Sequence, residues 1–142
     1  MSLESIATFL ENHQLTNELI GRANREERLI LTGASRTAKA LITTSLAKKE
    51  SKKLLVVVPT LEDATRWYPL VKDCGWKKTC LYPTSEVSPY DSMQVTSEII
   101  WGQLQVLSDI FELKDDESIA IIATERSLQP HLPPFEYLKS KC

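Results

Sequence analysis

The chain has 142 residues, of which 42% are hydrophobic and 25% charged, and its formal net charge is −2. This length fits one domain with one core, and the charge disfavours a dedicated nucleic-acid binder, which usually carries a basic surplus. No apolar run approaches the roughly 20 residues of a membrane-spanning helix. The three cysteines, Cys74, Cys80 and Cys142, are odd in number and irregularly spaced. We therefore expect free thiols in a reducing cytoplasm, with no disulfide framework, zinc site or membrane partner.

The first third of the chain predicts helices around one short strand. Residues 1–24 indicate one or two short helices, broken between residues 12 and 16, with Ser2 as a cap. "ERLILTG" at 27–33 predicts a short strand that ends in a glycine. "SRTAKALITTSLAKKES" follows as a helix, because its apolar residues recur at helical spacing.

The remainder alternates between strands and helices. "KKLLVVVPT" is a continuous apolar run, typical of a parallel strand buried on both faces. The helix after it is capped by Thr60, contains Pro69 as a source of a kink, and stops where Gly75 supplies a left-handed conformation. The later elements are a strand in "KTCLYP", a loop at 83–93, a helix in "VTSEIIWGQLQVLSDIFEL" and a strand in "SIAIIATE".

Alternating strands and helices predict an α/β fold with right-handed crossovers. We expect three layers, with a parallel sheet of about four strands flanked by helices, as in P-loop motors. The predicted organisation is an N-terminal helical segment (1–24), an α/β subdomain (25–134) and an exit towards a further subdomain (135–142).

The stretch "GASRTAKA" follows the first predicted strand and opens a helix, which is the context of a phosphate-binding loop. A working loop has the form G-x-x-x-x-G-K-[ST]. Gly33 and Lys39 match its first glycine and its lysine, but Ala38 replaces the second glycine and Ala40 replaces the magnesium-binding hydroxyl. No D-E-x-x motif follows an apolar strand, and "SIAIIATE" ends in the lone Glu125. The sequence thus predicts a degenerate loop, with no catalytic residue and no metal site; Gly33 and Lys39 are its remaining nucleotide-binding positions.

The order of segments resembles the N-terminal region of the bacterial transcription-repair coupling factors (Mfd), most of all cyanobacterial members. The resemblance spans about residues 15–134, and its most specific part is "YPTSEVSPYDSMQVTSEIIWGQLQVL". In that family the N-terminal module is similar to the excision-repair helicase UvrB, and its first subdomain has a motor-like core with a degenerate nucleotide loop.

The resemblance implies a non-catalytic module for DNA repair coupled to stalled RNA polymerase. The family's ATP-dependent DNA translocase, which uses ATP and magnesium, lies further along the parent chain. UvrA binds mainly the next subdomain, and RNA polymerase and DNA bind other domains. The expected partner of this module is therefore the rest of the parent chain, whose motor it helps to restrain. Apolar faces meant for missing subdomains would favour a homodimer.

Two alternatives come from other classes. The first is a weak P-loop NTPase or helicase lobe that binds ATP through Lys39. The second is a flavodoxin-like binding domain, with a ligand at the carboxyl ends of the strands near Gly33, Pro59 and Pro83.

Other residues have competing interpretations. Tyr82, Tyr90 and Trp101 are able to stack on nucleic-acid bases. However, Tyr82 ends a strand and Trp101 lies on the apolar stripe of a helix, and these positions favour packing within the protein. The lysines of "KKESKK" suit the negative end of a helix dipole better than a nucleic-acid patch. His13 and His131 have no metal or triad spacing.

Overall fold

The computed structural model describes residues 2–26, 28–84, 97–114 and 117–128, together with Glu136. Its helices and strands are α1 (Leu3–Glu11), α2 (Gln14–Glu26), α3 (Arg36–Lys49), β1 (Leu54–Val58), α4 (Leu61–Lys72), β2 (Lys78–Leu81), α5 (Ser97–Phe111) and β3 (Ile119–Thr124). A short 3-10 turn, Arg126–Leu128, follows β3. None of the described helices is long and apolar enough to cross a membrane.

Local sequence signals define the ends of the helices as predicted. The hydroxyl of Ser2 accepts a hydrogen bond from the N–H of Ser5 at the start of α1, and that of Thr60 accepts one from Asp63 at the start of α4. Gly75, just beyond α4, has a φ of +80°. Pro69 lies inside α4, where its carbonyl accepts a hydrogen bond from the N–H of Asp73. The predicted loop at 83–93 lies almost wholly outside the described residues.

The sheet has three parallel strands in the order β1-β3-β2. The central strand, β3, is the most completely buried, as a strand with neighbours on both edges should be. The α/β class and the flanking helices are confirmed, with three strands in place of about four.

Residues 28–32, the core of the predicted first strand, belong to no ladder in the structure. Their backbone is not helical, they make no described backbone hydrogen bond, and Ile30 is 71% exposed. An apolar run supplies only a preference for extended backbone, and a strand also requires a partner edge.

Two apolar clusters pack on opposite faces of the sheet. On the α4 face, Ala7 of α1, Ala40 of α3 and Val71 of α4 meet Ile122 of β3. On the α5 face, Val106 packs with Cys80 of β2, with Tyr82 just after that strand, and with Ile119 and Ala123 of β3. The helices thus form a layer on each side of the sheet.

The expectation that "LLVVV" is buried on both faces was wrong. Leu55 and Val57 point to the α5 face and are 53% and 49% exposed. They are exposed because α5 covers β2 and β3, whereas β1 lies at the edge of the sheet.

Candidate functional site at the carboxyl edge of the sheet

The loop before α3 contains the glycine that the sequence singles out. Gly33 has a φ of +71°, in the left-handed region that disfavours a side chain. A Cβ added there would meet no heavy atom within 4 Å, so the surrounding space is open. Gly33 therefore makes a turn, and it is not a close-packed position.

The start of α3 is capped by its own side chain. Ser35 is the N-cap, and its hydroxyl accepts a hydrogen bond from the N–H of Ala38 at 3.2 Å. The N–H of Lys39 donates to the carbonyl of Ser35 at 2.9 Å. The N–H groups of Arg36 and Thr37 are left without a described acceptor, so the helix start retains two backbone donors for an anion.

The two alanines that break the motif lie inside the helix and its packing. Ala38 is in the first turn of α3, where its backbone is helical and its N–H is already used. Ala40 has no exposed surface and belongs to the core on the α4 face. A hydroxyl at position 40 would face this core, so the loop has no group there for a magnesium ion.

Lys39 is half-buried on the first turn of α3. Its ammonium group makes no described hydrogen bond or ion pair. Gly33 lies six residues earlier in the chain, before the N-cap residue Ser35. This amine and the two backbone donors are parts of the predicted nucleotide loop that the described structure leaves available.

An ion pair joins the starts of α3 and α4. Arg36 Nη2 lies 3.4 Å from Asp63 Oδ1. Asp63 is held in turn by Thr60, whose hydroxyl donates to Oδ2 at 3.1 Å. Both charged side chains remain about one-third exposed, so the pair contributes little stability by itself. Its consequence is geometric, because it fixes the start of α3 beside the carboxyl end of β1.

Glu125 is the acidic residue nearest to this edge along β3. Its N–H donates to the carbonyl of Val58 at 2.9 Å, which extends the ladder by one residue, and its side chain is exposed. Thr124 and Ser127 exchange hydrogen bonds of 3.1 Å between side chain and backbone, so the turn after β3 is closed by its own residues.

Pro59 and Pro83, the two prolines predicted to lie near a ligand at this edge, are separated from each other. Pro59 follows β1 and Pro83 follows β2, with the end of β3 between them. The carbonyl of Pro83 accepts a hydrogen bond from Gln103 of α5 at 2.9 Å, and the ring of Pro83 lies close to Gly102. Pro83 thus anchors α5, and the three positions named for a flavodoxin-like ligand do not form one described pocket.

The lysine cluster lies at the end of α3 as expected, with Lys48 and Lys49 in the last turn, and its side chains also reach neighbouring elements. The ammonium group of Lys48 donates to the carbonyls of Cys74 and Gly75 at 3.0 and 2.8 Å, beyond the end of α4. That of Lys49 donates to the carbonyl of Glu11 at the end of α1, at 2.8 Å. These lysines therefore cap neighbouring helices, a tertiary arrangement that helix spacing alone does not reveal.

Two open cavities lie at the opposite, amino edge of the sheet. The larger, of about 500 Å³, is lined by Lys48, Lys52, Lys53, Glu11 and Glu117 among others. The smaller, of about 250 Å³, is lined by Lys77, Lys78, Asp109, Glu112 and Glu117 among others. Acidic and basic groups alternate in both, so neither cavity has a single sign of charge to select a ligand.

Ion pairs dominate that amino edge. Lys78 Nζ lies 2.6 Å from Asp109 Oδ1, and this hydrogen bond is the main cause that raises the pKa of Lys78 and lowers the pKa of Asp109. Lys77 pairs with Glu117, and that hydrogen bond lowers the pKa of the Glu117 carboxyl. In both pairs the lysine charge favours the ionised form of the carboxyl group, as expected of structural pairs.

The aromatic residues separate into buried and exposed groups. Tyr82 is buried, and burial raises the pKa of its phenol. Trp76 is buried and its indole N–H donates to the hydroxyl of Thr44 at 3.1 Å. Trp101 is 70% exposed, so the packing expected for it on the stripe of α5 was wrong. Tyr90 lies outside the described residues.

Cysteine and histidine residues form no described reactive cluster. Cys74 and Cys80 are free and buried, and burial is the main cause that raises the pKa of each thiol. His13 accepts a hydrogen bond at Nδ1 from the N–H of Leu15 at 3.1 Å, at the start of α2. Among the described residues, no group of three or more histidine, cysteine or acidic side chains is placed to hold a metal ion. Cys142 and His131 are not described.

Comparisons with models of protein families, with curated protein sequences and with solved structures found no match to this chain.

Proposed function

We propose that this chain is a non-catalytic module of a transcription-repair coupling factor, where it supports neighbouring domains and does not turn over a nucleotide. Two lines support the proposal: the segment order of residues 15–134, which resembles that family, and the donor set of the loop at 33–40. The parent protein would be an ATP-dependent DNA translocase of the cytoplasm.

The observation that carries the non-catalytic part is the placement of Ala38 and Ala40. The N–H of Ala38 is bound by Ser35, and Ala40 lies in the core. A P-loop uses the corresponding positions for close approach to the phosphates and for a magnesium-binding hydroxyl. What remains at Lys39 and the helix start suits a small anion held weakly.

The scaffold part is supported by apolar surface on the α5 face. Leu55 and Val57 of β1, and Ile100 and Trp101 of α5, are each at least 48% exposed. Large exposed apolar side chains are typical of a surface that contacts another domain. In the proposed setting that neighbour is the rest of the parent chain, including the subdomain that binds UvrA and the motor that this module restrains. DNA and RNA polymerase would be bound elsewhere in the parent.

A titration with a fluorescent ATP analogue and magnesium tests the loss of nucleotide chemistry. The native chain, Lys39→Ala and Lys53→Ala are compared; Lys53 is an exposed lysine at the opposite edge, so its replacement removes the same charge elsewhere. We expect no binding at micromolar concentrations in any of the three. If the native chain and Lys53→Ala bind but Lys39→Ala does not, the chain belongs with the nucleotide-binding lobes.

An exchange of modules tests the scaffold role. The corresponding segment of a transcription-repair coupling factor is replaced by this chain, and the ATPase rate of the chimera is compared with those of the parent and of a deletion. We expect the chimera to keep the parent's low rate and the deletion to exceed it. A chimera as active as the deletion would contradict the proposal.

A further inference from the structure

The outer edge of β1 has the hydrogen-bonding pattern of a strand that lacks a neighbour. Val58 accepts a hydrogen bond from Glu125, so its backbone polar groups face β3. Because these groups alternate in direction along a strand, the N–H and C=O of Leu55 and Val57 point away from β3. No described hydrogen bond reaches them, and both side chains are half-exposed. Such an edge is a template for a further strand.

Residues 28–32, "RLILT", have the complementary properties. The segment has five residues, the same number as β1, and none of its backbone groups makes a described hydrogen bond. It joins the end of α2 to the loop before α3. Its central residue, Ile30, is 71% exposed, whereas Leu29 and Leu31 are half-buried, so closure would exchange the present contacts of the two leucines for contacts with β1.

The chain topology selects the side of the sheet that this segment would reach. The connection from β1 to β2 passes through α4 on one face of the sheet and crosses over β3. The connection from β2 to β3 passes through α5 on the other face and runs in the opposite direction across the sheet, towards β1. These two crossovers therefore have the same hand. The helix α3 lies on the α4 face. For a crossover through α3 to share that hand, the strand before it must lie outside β1.

The direction of the segment follows from the Arg36–Asp63 pair. This pair fixes the start of α3 beside the carboxyl end of β1. Residues 28–32 end three residues before α3, so they would run towards that same edge, parallel to β1. The connection from 33 to 53 exceeds the dozen residues that a parallel crossover requires.

We propose that residues 28–32 form a strap that closes on the outer edge of β1 as a fourth parallel strand. In the register that aligns both segments, Leu29 lies beside Leu55 and Leu31 beside Val57. Ile30 then provides the central pairing: its N–H donates to the carbonyl of Leu55, and its carbonyl accepts from the N–H of Val57. The side chain of Ile30 turns to the α4 face, and the leucines cover the exposed side chains of β1.

Closure would also reposition the loop that follows. Gly33 comes directly after the strap, so a paired strap fixes where the loop at 33–35 leaves the sheet, beside Pro59 and Glu125. This proposal concerns the chain alone; when the strap is closed, Leu55 and Val57 are covered, and Ile100 and Trp101 of α5 are the apolar surface that remains for another domain.

Amide hydrogen exchange measured by NMR tests the pairing residue by residue. The native chain is compared with Ile30→Pro, which removes the donor to Leu55, and with Leu31→Pro, whose N–H would point to solvent, where an edge strand tolerates proline. The amides of Val56 and Val58 face β3 and report that the sheet remains folded. We expect the amides of Leu55 and Val57 to exchange about tenfold or more faster in Ile30→Pro than in the other two proteins.

Two results would overturn the strap. One is exchange at Leu55 and Val57 that is as fast in the native chain as in Ile30→Pro. The other is an equal loss of protection in both proline variants, because the pairing distinguishes Ile30 from Leu31.

A cross-link identifies the molecule that supplies the strap. In a Cys142→Ser background, Leu31→Cys with Val57→Cys places two thiols on one face of neighbouring strands, about 4.8 Å apart at Cα, within the range of a disulfide. The control pair, Ile30→Cys with Val57→Cys, puts the thiols on opposite faces. We expect mild oxidation to cross-link the first pair within a monomer and to leave the control reduced. Cross-linked dimers would show that a second copy occupies the edge, contrary to the proposal.

Discussion

Replacement by alanine is expected to have opposite effects at Gly75 and Gly21, because the two glycines have different backbone conformations. Gly75 has a φ of +80°, and a Cβ added there would lie 2.5 Å from Cγ of Glu4. Gly21 lies within α2 with nothing within 4 Å of such a Cβ. We expect Gly75→Ala to lower the free energy of unfolding by about 1–2 kcal/mol and Gly21→Ala to raise it by about 0.5–1 kcal/mol. Urea denaturation of both variants checks the opposite signs, and a loss at Gly21 would contradict this account.

The buried indole of Trp76 depends on one acceptor. Its N–H donates to the hydroxyl of Thr44, which has no exposed surface. Thr44→Val keeps the shape of the side chain but leaves the indole N–H unsatisfied, so we expect a loss of about 1–3 kcal/mol in the free energy of unfolding. Thr43→Val is the control, because the hydroxyl of Thr43 bonds only to carbonyls of its own helix. Equal losses in denaturation experiments would show that the Trp76 contact is not the cause.

The sequence located the residues of the loop but not their partners. Gly33 and Lys39 are identified by their spacing after an apolar run, and the structure places Gly33 at a turn and Lys39 in the first turn of a helix. The pair between Arg36 and Asp63 joins residues that are 27 positions apart. No local pattern encodes such a contact, because it depends on how α3 and α4 pack.

Lys48 links two helices at the scale of whole elements. Its ammonium group donates to the carbonyls of Cys74 and Gly75, in the turn that follows α4. We expect Lys48→Met, which keeps most of the apolar stem, to lower the free energy of unfolding by about 1 kcal/mol. Lys53→Met is the control at an exposed site. Thermal denaturation distinguishes them, and similar melting temperatures would contradict a capping role for Lys48.

Helices were predicted more closely than the sheet, for a physical reason. The limits of α3, α4 and α5 follow from caps and from apolar spacing, which are local properties. Strand order is not local: "LLVVV" lies at an edge and "IAIIAT" in the centre, although both are continuous apolar runs. The α5 helix covers only two strands, so the burial of β1 was overestimated from its composition.

At the scale of the whole molecule, an ion pair joins the α5 layer to the sheet, in addition to apolar packing. Lys78 of β2 lies 2.6 Å from Asp109 of α5, and Gln105 also donates to the Asp109 carboxylate, at 3.1 Å. This pairing lowers the pKa of Asp109 and raises the pKa of Lys78. The Asp109 carboxylate therefore stabilises the fold at pH values above its pKa in the unfolded chain. This stabilisation is lost as the pH falls through the pKa of Asp109 in the folded protein. The Lys78 ammonium group contributes its full stabilisation at pH values below its pKa in the unfolded chain. That stabilisation is lost as the pH rises through the pKa of Lys78 in the folded protein.

Unfolding experiments across pH therefore test how the two layers are joined. Asp109→Asn removes the carboxylate but retains its shape, and the titration of groups that do not interact with Asp109 cancels in the difference. We expect the native chain to exceed the variant in free energy of unfolding by a nearly constant amount between about pH 5 and 9. The difference should shrink in stronger acid, as Asp109 becomes protonated, and again in strong alkali, as Lys78 loses its charge. Because Lys78 is 42% exposed, solvent and salt screen the pair, and the difference should also decrease with added salt. A difference that is the same in strong acid as at neutral pH would mean that packing, and not charge, holds α5 to the sheet at this position.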